Sequence, residues 1–255
     1  MLTKRQKFIS SSILLSLGFV GISFLGTDYR FWGIGLLALL STLSFIWSLD
    51  GLGLNATLLV LILPAFFTLG VGLFWFLLPA TVFARIPIII LYGIGLYALY
   101  LTMNIFTVSS IRTIALARAA KGVGFVLTLF AGFLLYDAVL SLRTSWFYTS
   151  LIVFAVSFPL FLQSLWSSKL LRQFEKELLA YSAISAYGIT AISMLLFFWP
   201  ISVIEGAIFL TVSMYVLLGL GQSEQEGRLF KQTAREYLVV GILVFLVMLV
   251  ITSWR

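Results

Sequence analysis

The chain has 255 residues, 62% of them apolar and 10% charged, with a net charge of +7 and a mean hydropathy of +1.14, against about 45–50% apolar and 25% charged in soluble domains. That balance excludes a water-facing globule, so the solvent is lipid and the backbone must close its own hydrogen bonds as helices or as a barrel. With no His and no Cys, disulfides, thiol nucleophiles, iron–sulfur clusters, His-ligated haem and Cys/His zinc sites are excluded, and neither a cofactor nor a metal is expected.

About 20 apolar residues of helix cross a bilayer core of about 30 Å, and the charges cut the chain into nine such runs. They are Phe8 to Leu25, Phe31 to Leu49, Asn55 to Leu78, Ile86 to Phe106, Gly122 to Ser141, Trp146 to Trp166, Leu178 to Phe198, Ile204 to Leu220 and Tyr237 to Trp254. Continuous rather than alternating apolarity, over twice the length of a membrane strand, argues against a barrel. The predicted fold is all-α: a polytopic transmembrane bundle of about nine helices in a single membrane domain spanning 1–255.

The first run follows Lys4, Arg5 and Lys7 and lacks an A-x-A-like cleavage site, so it reads as a retained anchor rather than a signal peptide. A cytoplasmic N-terminus and nine crossings place twelve of the 16 basic residues inside: Lys4, Arg5, Lys7, Arg112, Arg118, Lys121, Lys169, Arg172, Lys176, Arg228, Lys231 and Arg235. Arg30, Arg85, Arg143 and Arg255 fall outside, as does the C-terminus. Among the acids, Asp50, Glu175, Glu177, Glu224, Glu226 and Glu236 fall inside, and Asp28, Asp137 and Glu205 at or near the outer side. The net basic inner face suits anionic lipid headgroups, with Arg112, Arg118, Lys121, Lys169, Arg172, Lys176, Arg228, Lys231 and Arg235 as the contact residues. It gives no reason to expect nucleic acid. No loop is long enough for a folded soluble domain, so function is expected in or against the bilayer.

A faint duplication lays span two on span six. Arg30 and Trp32 open one and Arg143 and Trp146 the other, Trp47 and Trp166 close them, and Arg118 and Arg235 recur 117 residues apart. This pattern predicts one leading helix and two parallel four-helix units, 30–141 and 143–255. Interfacial Trp and Arg, common in any membrane protein, produce similar coincidences.

Along the chain, Ser12 and Ser16 in span one read as helix packing. Pro64 and Pro159 fall inside spans and are candidates for bends, whereas Pro87 fits a first helical turn. Span four carries Gly93, Tyr97, Tyr100 and Asn104 at steps of four, three and four. This polar stripe on one helix face either lines a path for a weakly polar molecule or makes interhelical hydrogen bonds. Gly124, Thr128 and Gly132 in span five, and Ser182, Ala186, Thr190 and Ser193 in span seven, are small-residue ridges for close packing. Asp137 is the one carboxylate inside an apolar run, expected to pair with Arg143 near the membrane edge. Glu205, the second candidate membrane-edge acid, reads as a helix N-terminal cap.

Two cytoplasmic segments look amphipathic. Leu170, Leu171, Phe174 and Leu178 form an apolar stripe against Lys169, Arg172, Glu175, Lys176 and Glu177. Ser223 and Glu226 stand in capping-box spacing ahead of the last span. No Walker loop, nucleophile elbow, carboxylate cluster or Arg ladder is found in the sequence.

At Tyr97 to Lys121, with Asn104, Ile105, Phe106 and then Ile111, Arg112, Thr113, and again at Gly227 to Leu238, the chain resembles uncharacterised multi-pass proteins of genome-reduced bacteria. The resemblance implies a bacterial plasma membrane location and carries over no activity or site. Three functions stay open: transport or flipping of a lipid-like or weakly polar molecule, a non-catalytic scaffold or subunit that holds other membrane subunits, and an intramembrane enzyme. The first fits an interior poor in charge.

Overall fold

A computed structural model describes residues 3–49, 54–78, 82–110, 115–170 and 176–252. Nine helices account for nearly all of them, with no strand among the described residues. They are α1 (Lys4–Ser23), α2 (Thr27–Ser48), α3 (Leu54–Leu77), α4 (Val82–Ser109), α5 (Ala117–Ser141), α6 (Trp146–Lys169), α7 (Lys176–Phe197), α8 (Val203–Gln225) and α9 (Lys231–Ile251). All nine are long and apolar enough to cross a membrane.

Each predicted span becomes a helix, and several run past the hydrocarbon limit. Lys4–Lys7 join α1, Ala117–Lys121 join α5, and Lys231–Glu236 join α9. A helix satisfies its backbone internally, so nothing obliges it to stop where charges begin. Thr3 caps α1 in a reciprocal box: Gln6 N donates to Thr3 Oγ1 at 3.4 Å, and Thr3 N to Gln6 Oε1 at 2.9 Å. The expected Ser223/Glu226 box does not form. Ser223 lies within α8, Glu226 is that helix's C-cap, and Gly227 then turns the chain with φ +66°. Because α4 begins at Val82, Pro87 sits in its second turn rather than its first and leaves one helical hydrogen bond unmade. Of the first amphipathic segment, Leu171 to Glu175 lie outside the described residues, and α6 and α7 border it.

The chain forms two compact units, Met1–Ala131 and Gly132–Arg255, with the division inside α5. In the first, α1 packs on α2 and α4, and α3 on α2 and α4, so four helices close a ring that includes α1. Its interior is filled by aromatic rings. Phe8, Phe45 and Tyr100 stack with centroids 5.1–6.0 Å apart, and Phe19, Phe67, Trp75 and Tyr92 form a second cluster at 4.6–5.9 Å. In lipid, such fitted contacts and buried hydrogen bonds, more than solvent exclusion, drive helix association.

Hydroxyls tie the ring together. Thr68 Oγ1 donates to the Pro64 carbonyl at 2.8 Å and lies 3.0 Å from Tyr92 Oη, while Ser41 Oγ reaches the same carbonyl from α2 at 3.4 Å. On α5, a side chain at Gly124 would meet the Phe106 ring at 3.1 Å, so the small-residue ridge permits close approach to α4.

In the second unit α6 packs on α7 and α8, α8 on α7, and α9 on α8. Leu178, Ser182, Ala186, Ile189, Ser193 and Leu196 form the buried stripe of α7. Gln222 Nε2 donates to Ser164 O and Oγ, both at 3.1 Å, and Ser168 Oγ to Gln225 Oε1 at 2.6 Å, which joins α6 to the end of α8. Met248 is the one buried side chain within α9.

Candidate functional site

The contact between α1 and α4 is made possible by Gly93. A Cβ there would lie 2.6 Å from Ser16 Oγ, and Ser16 in turn donates to the Ser12 carbonyl at 2.7 Å, turning its hydroxyl back onto its own helix. The small pair Ser12/Ser16 and Gly93 form the floor of a groove of about 370 Å³ whose walls are Ile9, Ile13, Leu17, Ile89, Ile90, Ile94 and Tyr97. That volume falls within the roughly 300–1,000 Å³ of small-molecule clefts. Ile13, Leu17, Ile90 and Ile94 are all exposed, so the groove opens on the outer surface of the ring, not into its core. At one end Arg5 Nε donates to Tyr97 Oη at 3.2 Å, a polar bridge across its mouth.

The predicted stripe on α4 therefore divides. Tyr97 lines the groove. Tyr100 is fully buried between Phe8 and Phe45, and its hydroxyl donates to the Ser41 carbonyl at 2.7 Å beside Ser44 Oγ at 2.8 Å. Asn104 is half-buried one turn further on, and its carbonyl accepts from Thr107 Oγ1 at 2.7 Å. Gly93, the stripe's first member, acts through its missing side chain.

At the opposite end of the ring, the end of α3 and the starts of α2 and α4 carry aromatic and basic side chains in contact. Arg30 lies over the Phe76 ring at 5.9 Å and donates from Nε to the Leu25 carbonyl at 3.0 Å. Arg85 lies over the Trp75 ring at 5.3 Å. In the sequence Arg85 stands out only as a basic residue of the outer side, and Trp75 carries no signal of its own. The signal that was present is the spacing Arg85, Ile89, Gly93, Tyr97, steps of four that put Arg85 on the same ridge of α4 as the groove.

The second unit has its own cavity, about 540 Å³, lined by Arg143, Thr144, Thr149, Trp199, Ser202 and Gly206 with apolar neighbours including Leu140 and Leu196. Arg143 takes a left-handed backbone, φ 46°. Glu205 caps α8 as expected, accepting from Ser202 N at 2.8 Å while Glu205 N donates to Ser202 Oγ at 3.4 Å. Asp137 is 4% exposed and does not line the cavity. The expected Asp137–Arg143 pair is absent: no ion pair joins them among the described residues. The reason is local, since Arg143 lies beyond the end of α5, where the chain has already turned away from the helix that carries Asp137. The two acids and an arginine thus do not converge as acid–base chemistry would need.

Of the basic contact residues, Arg118, Lys169, Lys176, Arg228, Lys231 and Arg235 are exposed, Lys121 is half-buried, and Arg112 and Arg172 lie outside the described residues. Arg228 lies 3.7 Å from Glu226. No group of three metal-ligating side chains occurs among the described residues.

A family model described as a protein of unknown function, DUF5656, matches residues 12–251. The chain belongs to that family. The DUF5656 match runs from within α1 to the end of α9, so it takes in most of the groove, the ring and the second unit, while Arg5, Phe8 and Ile9 precede it. No curated protein and no solved structure matches the chain.

Proposed function

We propose that this membrane protein binds a lipid-like or weakly polar molecule along the α1–α4 groove and moves it within or across the bilayer, in a bacterial plasma membrane with the N-terminus cytoplasmic. The observation that carries this reading is the groove itself, an apolar channel floored by Ser12, Ser16 and Gly93 and open at the outer surface of the ring. A flexible chain lying there meets Ile side chains along its length, while Tyr97 and Arg5 supply donors at one end. The exposed basic residues from Arg118 to Arg235 would rest on anionic headgroups of the cytoplasmic leaflet.

A scaffold role draws on a different observation: Phe8, Phe45, Tyr100, Phe19 and Tyr92 pack as buried rings in the interior of the helix ring. One experiment separates the two. The protein is purified in native lipid, bound lipid is extracted and identified, and Ile13→Trp and Ile94→Trp are compared with wild type in proteoliposomes carrying a fluorescent lipid. Both positions are exposed at the groove walls, so added rings fill it without touching the core. Loss of bound lipid and of lipid movement in both variants supports the proposal; equal lipid content and movement sinks it and favours the scaffold.

A further inference from the structure

Three polar hydrogens are buried without a partner among the described residues, on Trp75 Nε1, Arg85 Nε and Ser109 Oγ. The first two belong to one cluster, with the Arg85 guanidinium 5.3 Å from the centre of the Trp75 ring. Trp75 is 1% exposed. An indole N–H can only donate, and so can a guanidinium N–H, so neither residue satisfies the other and both require an acceptor. Buried donors left unpaired are rare in native proteins and are costlier still in hydrocarbon. Among the described residues Arg85 makes no ion pair with a carboxylate.

The location restricts what the acceptor is. Arg85 is the first residue of the apolar stretch of α4 that is long enough to cross a membrane, which places it where hydrocarbon meets headgroups. Along α4 it is followed at steps of four by Ile89, Gly93 and Tyr97, three of the five residues that α4 gives to the groove. Arg30, over Phe76 on the next residue of α3, adds a second cation at the same end.

We infer that Trp75 and Arg85 hold a phosphate oxygen of a phospholipid whose acyl chain lies in the α1–α4 groove. The inference rests on the reading of that groove as a lipid site, and it names the head group. A phosphate oxygen accepts the indole N–H and the charge-assisted guanidinium N–H together, and a phosphodiester lies at this depth in every phospholipid leaflet. In this arrangement Arg85 stands one helical turn before Ile89, the first groove residue of α4, and Arg5 bonds Tyr97, the last.

The test uses the full chain in neutral detergent, titrated with phosphatidylglycerol, with diacylglycerol of the same chains, and with inorganic phosphate. Binding is read by native mass spectrometry and by the rise in unfolding midpoint that mass action requires. Phosphatidylglycerol is expected to bind and stabilise the wild type, diacylglycerol to do so more weakly, and inorganic phosphate not at all. Trp75→Phe keeps the ring and deletes the N–H; Arg85→Lys keeps the charge and deletes Nε. Each should weaken phosphatidylglycerol by about tenfold, the usual scale for a hydrogen bond to a charged group, and leave diacylglycerol unchanged. Without lipid, Trp75→Phe should be at least as stable as the wild type, because it removes an unpaired donor.

Wild-type phosphatidylglycerol affinity in both variants overturns the inference. So does inorganic phosphate competing as well as the lipid, since the acceptor is then a free ion. The groove is judged separately. If Ile13→Trp leaves both lipids bound while Trp75→Phe still weakens phosphatidylglycerol, the groove reading fails and the head-group site stands. If Ile13→Trp weakens both lipids and Trp75→Phe neither, the groove stands and the head-group site falls.

Discussion

The hydroxyl of Tyr100, on α4, donates to the backbone carbonyl of Ser41, on α2, at 2.7 Å inside the first helix ring. Of the two roles that the sequence leaves open for the α4 stripe, lining a path or bonding between helices, Tyr100 takes the second. Tyr100→Phe should cost about 1 kcal/mol, within the range measured for hydrogen bonds between membrane helices. Lipid binding in the groove should not change. Detergent unfolding and lipid titration of the purified variant check this; lost binding at unchanged stability would return Tyr100 to the site.

Gly93 and Ser16 set the spacing of α1 and α4. Gly93→Ala places a Cβ 2.6 Å from Ser16 Oγ and should destabilise by about 1–3 kcal/mol, as overpacking does. Adding Ser16→Ala should recover much of the loss, because the atom that clashes is gone and the next nearest lies 3.6 Å away. A double-mutant cycle of unfolding free energies measures that coupling. Additive effects would mean that the two helices do not meet there.

Asp137 and Arg143 should behave as independent sites. With no ion pair between them, Asp137→Asn and Arg143→Gln should combine additively to within about 0.5 kcal/mol. Coupling well beyond that in the double variant would show that the two charges communicate.

Topology is tested by accessibility labelling of single cysteines. Ser145 is exposed at the start of α6 and suits the outer side. Ser168 is 6% exposed and bonded to Gln225, whereas Lys176, exposed at the start of α7, suits the inner side. Ser145→Cys should react with a membrane-impermeant thiol reagent in intact cells, and Lys176→Cys only after permeabilisation. The reverse pattern would refute a cytoplasmic N-terminus.

Hydropathy alone located all nine helices, because in lipid a long apolar run has few other ways to satisfy its backbone. Helix ends were less legible: charge marks where hydrocarbon stops, not where hydrogen bonding stops, which is why Lys231–Glu236 extend α9 and Ser223 lies within α8. The small residues at Ser16, Gly93 and Gly124 could be read as packing or polar lining, but a period of four does not say which neighbour covers a face. That is how Tyr97 and Tyr100 came to be grouped although one faces a groove and the other a core. The Trp75–Arg85 contact was beyond reach, since two residues ten apart across a helix connection meet only through the fold.

The ring of α1 to α4 closes on itself before α5 begins, with α2 and α4 as the main partners of α1 among the described residues. During synthesis, therefore, the first four helices need not wait for the ribosome to finish: once Ser109 has left the exit tunnel and been released into the bilayer, the earliest helix already has both of its lasting neighbours. A truncated polypeptide ending just after α4 should survive membrane proteases that would clear one ending after α3.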